Sequence, residues 1–63
     1  MPVVKIDTWP MEREKKGILI KKITDVFAEM GIPAEAVTVV INEAPLENWG
    51  SGGQQHSERF ARR

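Results

Sequence analysis

The chain contains no cysteine, and this absence removes two ways of holding a small protein together. No disulfide can form, and a lone histidine, His56, cannot supply the ligands of a structural zinc site. A domain of 63 residues buries only about 60% of the surface of its unfolded chain, which leaves it marginally stable alone. We therefore expect one domain over residues 1–63, with no metal, stabilised by self-association.

Net charge and long apolar runs are also missing. Nine basic residues balance nine acidic ones, so no positive field would attract nucleic acid or anionic lipid. No apolar run approaches the roughly 18 residues that would span a membrane, and neither nucleic acid nor a membrane is an expected partner. Lys5 and Asp7 interrupt the first apolar run, so no segment is typical of a signal peptide. The cytoplasm is the expected compartment.

Two segments near the start of the chain have clear patterns. The first, Val3 to Thr8, is rich in β-branched residues and predicts a strand that Trp9-Pro10 ends. The second predicts an amphipathic helix from about Met11 to Met30, stopped by Gly31 and Pro33. Its apolar residues recur at helical spacing: Leu19, Ile23, Val26, Phe27 and Met30.

A second strand is predicted over residues 37–42. Its alternating faces are Val37, Val39 and Ile41 on one side, and Thr38, Val40 and Asn42 on the other. Strand, helix and strand form a β-α-β unit, whose strands run parallel and are normally buried on both faces. One helix covers one face, so the face carrying Val4 or Val40 is expected to contact a second subunit. Loop-like residues and a polar segment, 54–63, complete an α+β fold.

Pro2 is the residue with the clearest potential for chemistry. While it is bonded to Met1, its nitrogen is a tertiary amide that cannot act as a base. Removal of Met1 would leave a secondary amine; α-amino groups ordinarily titrate near 8, and apolar burial or a nearby cation lowers that pKa toward neutrality. The alternative interpretation is that Pro2 only begins a strand, where a missing N–H is harmless.

Four motifs follow one another along the chain: Pro2-Val3-Val4-x-Ile6, Leu19-Ile20, Val37-x-Val39-x-Ile41-x-Glu43 and Trp49-Gly50-Ser51-Gly52-Gly53. Together they resemble the 4-oxalocrotonate tautomerase (2-hydroxymuconate tautomerase-like) family over essentially the whole chain. The resemblance implies a cofactor-independent keto-enol tautomerase in which Pro2, freed of Met1, serves as general base and then general acid on a small unsaturated 2-hydroxy or 2-keto acid. It further implies a short C-terminal hairpin and a homohexamer of three dimers, each with a four-stranded sheet.

The same resemblance assigns the substrate-binding positions. Trp49 takes the place of the family's aromatic residue that lines an apolar wall near the prolyl nitrogen, although it could equally be a packing residue. Thr38 stands where the family has a strand arginine, and Arg13 is the nearest match to the arginine before the helix, or else a plain surface charge. His56 is expected to be solvated, without a catalytic role. Nothing in the spacing chooses among other replacement cations, namely Lys15, Lys16, Arg62 and Arg63.

Two further functional classes stay open from the sequence. One is a hydratase or dehalogenase of unsaturated acids on the same scaffold, for which Asp7, Asn42 and Glu43 are the candidate residues and a carboxylate, Glu43 or Asp7, would activate water. The other is a non-catalytic oligomer that binds a small acid or another protein, which retention of Met1 would favour because the prolyl nitrogen would then be inert.

Overall fold

The computed structural model describes residues 1–60, so Arg62 and Arg63 lie outside the described residues. Strand β1 (Val3–Thr8) leads into helix α1 (Arg13–Glu29), which returns the chain to strand β2 (Thr38–Glu43). A hairpin of two short strands, β3 (Gly50–Ser51) and β4 (Gln54–Gln55), and a single turn of helix, α2 (His56–Arg59), follow. The predicted α+β fold, a β-α-β unit with a C-terminal hairpin, is confirmed.

Strands β1 and β2 pair in parallel, from Val3 opposite Thr38 to Thr8 opposite Glu43. β1 has the predicted bounds, whereas β2 starts and ends one residue later than predicted. The shift arises because the N–H of Val37 bonds to the carbonyl of Ala34, 3.1 Å away, and so closes a 3-10 turn before the ladder begins.

Helix α1 is shorter at both ends than the predicted span from Met11 to Met30. Glu12 is extended (φ −66°, ψ 149°), so the first helical residue is Arg13. At the other end, Gly31 adopts φ 90°, a conformation that only glycine reaches without strain. The carbonyl of Phe27 then accepts the N–H of Ile32 at 3.1 Å, which caps the helix as the glycine signal predicts.

The alternation of side chains across the sheet decides which face the helix covers. Val4 and its partner Val39 are half-buried on the side of α1, so of the two alternatives Val40, and not Val4, lies on the outer face. The outer face instead carries Val3 and Val40, which are 43% and 38% exposed. This face also bears Lys5, opposite Val40.

The apolar stripe of α1 is wider than the sheet beneath it. Leu19, Ile23 and Phe27 are half-buried as predicted, but Val26 and Met30 are 53% and 70% exposed. Two strands about 4.8 Å apart form a sheet narrower than a helix roughly 10 Å across, so residues at the edge of the stripe extend past it.

No residue that the structure describes is buried, and the chain is elongated. Its accessible surface is 5029 Å², against about 4,100 Å² expected for a compact folded monomer of 7.1 kDa. The radius of gyration is 15.1 Å, whereas about 10.6 Å is expected for a compact domain of this length. The isolated chain therefore has apolar surface but no interior. Within residues 1–60, neither helix has the length and apolarity needed to cross a bilayer.

Candidate active site

Pro2 lies at the amino end of the sheet and is anchored through its carbonyl group. That carbonyl accepts the N–H of Thr38 at 3.0 Å, one step before the first residue pair of the two strands. Pro2 is half-buried, whereas the preceding residue, Met1, is 83% exposed. The prolyl nitrogen takes no part in this hydrogen bond, so loss of Met1 would leave the bond between Thr38 and Pro2 intact. Thr38 is thus the predicted site residue that the structure places beside Pro2.

Trp49 and Arg13 lie at the other end of the sheet. The N–H of Ala44 bonds to the carbonyl of Thr8 at 3.2 Å, and the indole N–H of Trp49 bonds to the carbonyl of Ala44 at 3.0 Å. Six residues of strand at about 3.3 Å each put this end roughly 20 Å from Pro2. Arg13 begins the helix that follows β1, at the same distant end. Within one chain the structure does not bring Trp49 or Arg13 to Pro2.

A cleft of about 250 Å³ opens at this carboxyl end of the strands. Among residues 1–60, no lysine or arginine lines it; its walls are Asp7, Asn42, Glu43, Ala44, Asn48 and Trp49. A larger groove, about 550 Å³, lies along α1 and is lined by Glu14, Gly17, Ile18, Lys21, Lys22 and Asp25.

Glu43 joins the start of α1 to the end of β2. Lys16 Nζ lies 2.6 Å from Glu43 Oε1, and the backbone N–H of Met11 donates to Oε2 at 2.7 Å. These two hydrogen bonds lower the pKa of Glu43 below its ordinary value, and the bond from Lys16 has a larger effect than the bond from Met11. Both carboxylate oxygens are engaged, so Glu43 is poorly suited to activating water. Lys16 is equally engaged and is not a free replacement cation.

His56 is the centre of an aromatic cluster, and the prediction that it is solvated was wrong. It is half-buried, and its ring centroid lies 5.6 Å from that of Trp9, 6.0 Å from that of Trp49 and 5.1 Å from that of Phe60. The hairpin turn causes this, because Gly52 (φ 60°) and Gly53 (φ 77°) reverse the chain. The reversal lets the N–H of His56 bond to the carbonyl of Trp49 at 2.8 Å.

Both ring nitrogens of His56 have hydrogen-bond partners. The indole N–H of Trp9 donates to Nδ1 at 3.1 Å, and Nε2 lies 3.2 Å from Ser51 Oγ. Because an indole can only donate, Nδ1 is an acceptor and the hydrogen of the neutral ring is on Nε2. Arg59 completes the arrangement by donating to Ser51 Oγ at 2.9 Å and to the Ser51 carbonyl at 3.3 Å. This cluster was not predicted from the sequence, although the aromatic residues on both sides of the glycine-rich turn were a usable signal.

Within residues 1–60, no group of three or more histidine, cysteine, aspartate or glutamate side chains could hold a metal ion. The candidate groups are instead the anchored proline at one end of the sheet and the tryptophan-lined cleft at the other. Residues 2–59 match the Tautomerase family, described as "Tautomerase enzyme". The chain belongs to the tautomerase family.

Known proteins similar to this tautomerase agree with that assignment. Over 49 residues, which cover 76% of the chain and 73% of the relative, it is 39% identical to the probable tautomerase bsl7456 of Bradyrhizobium diazoefficiens. The structure of TomN, a 4-oxalocrotonate tautomerase homologue of the tomaymycin biosynthetic pathway, superposes with a TM-score of 0.88. It is 31% identical and 95% of each chain is covered.

A further solved structure belongs to the 4-oxalocrotonate tautomerase isozymes of Methylibium petroleiphilum. It is 34% identical, with a TM-score of 0.81, and the match covers 98% of this tautomerase and 100% of that chain. The resemblance to the 4-oxalocrotonate tautomerase family is confirmed, and the chain is an isomerase of the tautomerase type.

Proposed function

We propose that this tautomerase is a cofactor-independent keto-enol tautomerase in which Pro2, freed of Met1, carries a proton between oxygen and carbon of a small unsaturated 2-hydroxy or 2-keto acid. The observation that carries the proposal is the anchoring of Pro2 through its carbonyl, behind an exposed Met1. The same residue must accept and return the proton, which requires a pKa near the working pH. The cytoplasm stays the predicted location.

The proposed reaction needs one proton and no change in oxidation state. The amine of Pro2 takes the proton of the substrate's enol hydroxyl, and the freed electron pair forms the carbonyl. The conjugated double bonds shift along the acid. The protonated amine then delivers the same proton to the carbon at the end of the conjugated system, which restores the free base.

We further propose that the working unit is a homohexamer of three dimers, and that the site is completed between subunits. The support is the exposed outer face of the sheet, with Val3 and Val40, and an accessible surface about 900 Å² above the roughly 4,100 Å² expected of a compact monomer. Where two β-α-β units pair edge to edge with antiparallel strands, the carboxyl ends of one unit lie beside the amino end of the other. Trp49 of one subunit would then form the apolar wall near Pro2 of another.

The absence of a positive charge at Thr38 favours a substrate with one carboxylate over one with two. Thr38 replaces an arginine that would bind a carboxylate, and a lost charge-assisted hydrogen bond costs about 1.5 to 3 kcal/mol, or roughly 10- to 150-fold in rate. The cleft beside Trp49 adds Asp7, which repels a second carboxylate. A monoanionic acid is therefore the better fit, and Arg13 is left as the predicted partner of its single carboxylate.

The experiment follows the ultraviolet absorbance of 2-hydroxymuconate and phenylenolpyruvate with protein whose loss of Met1 is verified by intact mass. We expect Pro2→Ala to lower kcat/KM by about 10²-fold, the lower end of the usual contribution of a general acid-base. Protein that retains Met1 should be inactive on both acids. The matched control is Pro33→Ala, at an exposed proline outside the site, which should keep full activity. Equal rates for wild type and Pro2→Ala would rule out Pro2 as the base.

A hydratase or dehalogenase remains the second candidate because Asp7 lines the cleft together with Trp49. Glu43 is a weaker choice for that chemistry, since Lys16 and Met11 occupy its carboxylate. If Asp7→Asn abolishes hydration of an unsaturated acid while tautomerisation stays intact, this second activity is supported. A chain that binds the acids without converting them, even after Met1 is removed, would instead be a binding oligomer.

A further inference from the structure

We propose that His56 is a positioning residue that holds the indole of Trp49 in the orientation the active site requires. This inference rests on the proposed function, in which Trp49 lines the wall near the prolyl nitrogen. It assigns a role to the one histidine of the chain, which the reaction itself does not use.

The side-chain rings of His56 and Trp49 are in contact. The imidazole of His56 lies nearly parallel to the indole of Trp49, with 19° between the planes and 6.0 Å between the centroids. The indole N–H is fixed on the carbonyl of Ala44, and the backbone carbonyl of Trp49 accepts the N–H of His56. Trp49 is therefore held at its edge, at its backbone and against one face of its ring, while it also lines the cleft.

The imidazole of His56 is itself held in one orientation. Its two nitrogens are bonded on opposite sides, Nδ1 by Trp9 and Nε2 by Ser51, and Arg59 secures the Ser51 hydroxyl. Trp9 directly follows β1, 47 residues before His56 in the chain. The imidazole thus ties the C-terminal hairpin and Trp49 to the end of the central sheet. Loss of the ring would remove the support of one indole face and leave the side chain of Trp49 held by the hydrogen bond to the Ala44 carbonyl, about which the indole can tilt.

The test is a double-mutant cycle on kcat/KM with phenylenolpyruvate, using protein without Met1. We expect His56→Ala to lower kcat/KM about 10-fold, within the loss of up to about 10²-fold that a displacement of one ångström can cause. In a Trp49→Ala background the same change should have less than about a twofold effect, because His56 acts through Trp49. Equal losses in both backgrounds would overturn the proposal.

Two variants separate positioning from general stability. His56→Phe keeps a flat ring against Trp49 but removes both hydrogen bonds of the imidazole, so we expect a loss of kcat/KM smaller than that of His56→Ala. If His56→Ala fails to assemble, His56→Phe takes its place in the cycle. Ser57→Ala, in the same helical turn but outside the ring cluster, is the matched control and should behave as wild type. If Ser57→Ala loses as much activity as His56→Ala, the role of His56 is only structural.

A spectroscopic readout does not depend on activity. The chain has two tryptophans, and both contact His56, so His56→Ala should weaken the near-ultraviolet circular dichroism of the indoles while the far-ultraviolet spectrum and the particle size stay unchanged. An unchanged near-ultraviolet spectrum would overturn the proposal. Retained activity in Pro2→Ala would refute the proposed function instead, and the spectrum would still test the contact between His56 and Trp49.

Discussion

Replacing Val40 by aspartate puts a carboxylate in the outer face of the sheet, which we propose is covered by another subunit. Val40 is 38% exposed in the single chain, so assembly would bury roughly a third of its side chain, worth about 0.5 to 1 kcal/mol. Burial of an isolated charge costs several kcal/mol more. Lys5, directly across the strand pair, offsets at most about 1 kcal/mol of that cost.

The net effect is at least about 3 kcal/mol per chain, or roughly a 150-fold weaker association for each contact. Sedimentation velocity over a range of protein concentrations should show the wild type as one oligomer and Val40→Asp as smaller species, with loss of tautomerase activity. Val40→Thr keeps the β-branched shape and is the control, which should assemble normally. If the Val40→Asp assembly has the same mass as the wild-type assembly, or if the wild type is a folded monomer, the proposal that another subunit buries the outer face is refuted.

Four other substitutions have outcomes that the structure specifies. Folding lowers the pKa of Glu43 from 4.5, so the contribution of its carboxylate to stability is fully present above pH 4.5 and is lost as the pH falls toward the lowered value. Glu43→Gln should therefore flatten the acidic part of a plot of the unfolding midpoint against pH. Thr38→Arg restores a cation beside Pro2 and should raise kcat/KM for the dicarboxylate 2-hydroxymuconate about 10-fold or more relative to phenylenolpyruvate, and an unchanged ratio would count against the substrate argument. Gly17→Ala, which meets no atom within 4 Å, should stabilise the protein by about 1 kcal/mol, whereas Gly31→Ala at φ 90° should destabilise it by about 1 to 2 kcal/mol in denaturant titrations.

Local signals in the sequence were enough to predict the central β-α-β unit. The β-branched residues of the first strand end at Trp9-Pro10, which is where β1 ends, and Gly31 stops α1 as its positive φ requires. Both signals act over a few residues and do not depend on the rest of the chain. The faces of β2 were predictable for the same reason, since alternation needs only one strand.

Features that depend on distant contacts were not predictable. The environment of His56 depends on Trp9, which is 47 residues away, and on a hairpin that brings the two together. The two hydrogen bonds to the Glu43 carboxylate likewise come from distant parts of the chain. Lys16 precedes Glu43 by 27 positions and Met11 precedes it by 32. The exposure of Met30 results from the narrow width of the sheet beneath the helix. The helical spacing of apolar residues gives no information about that width.

If Pro2 is the base that we propose, the hydrogen bond from Thr38 to the carbonyl of Pro2 separates folding from chemistry in this tautomerase. A chain with Met1 attached can form the same ladder as a processed one, so both forms would pass through purification together with identical spectra. Specific activity would then report the fraction of amino termini that an aminopeptidase has trimmed. An affinity tag fused to the nitrogen of Pro2 would give a well-behaved preparation that turns over nothing.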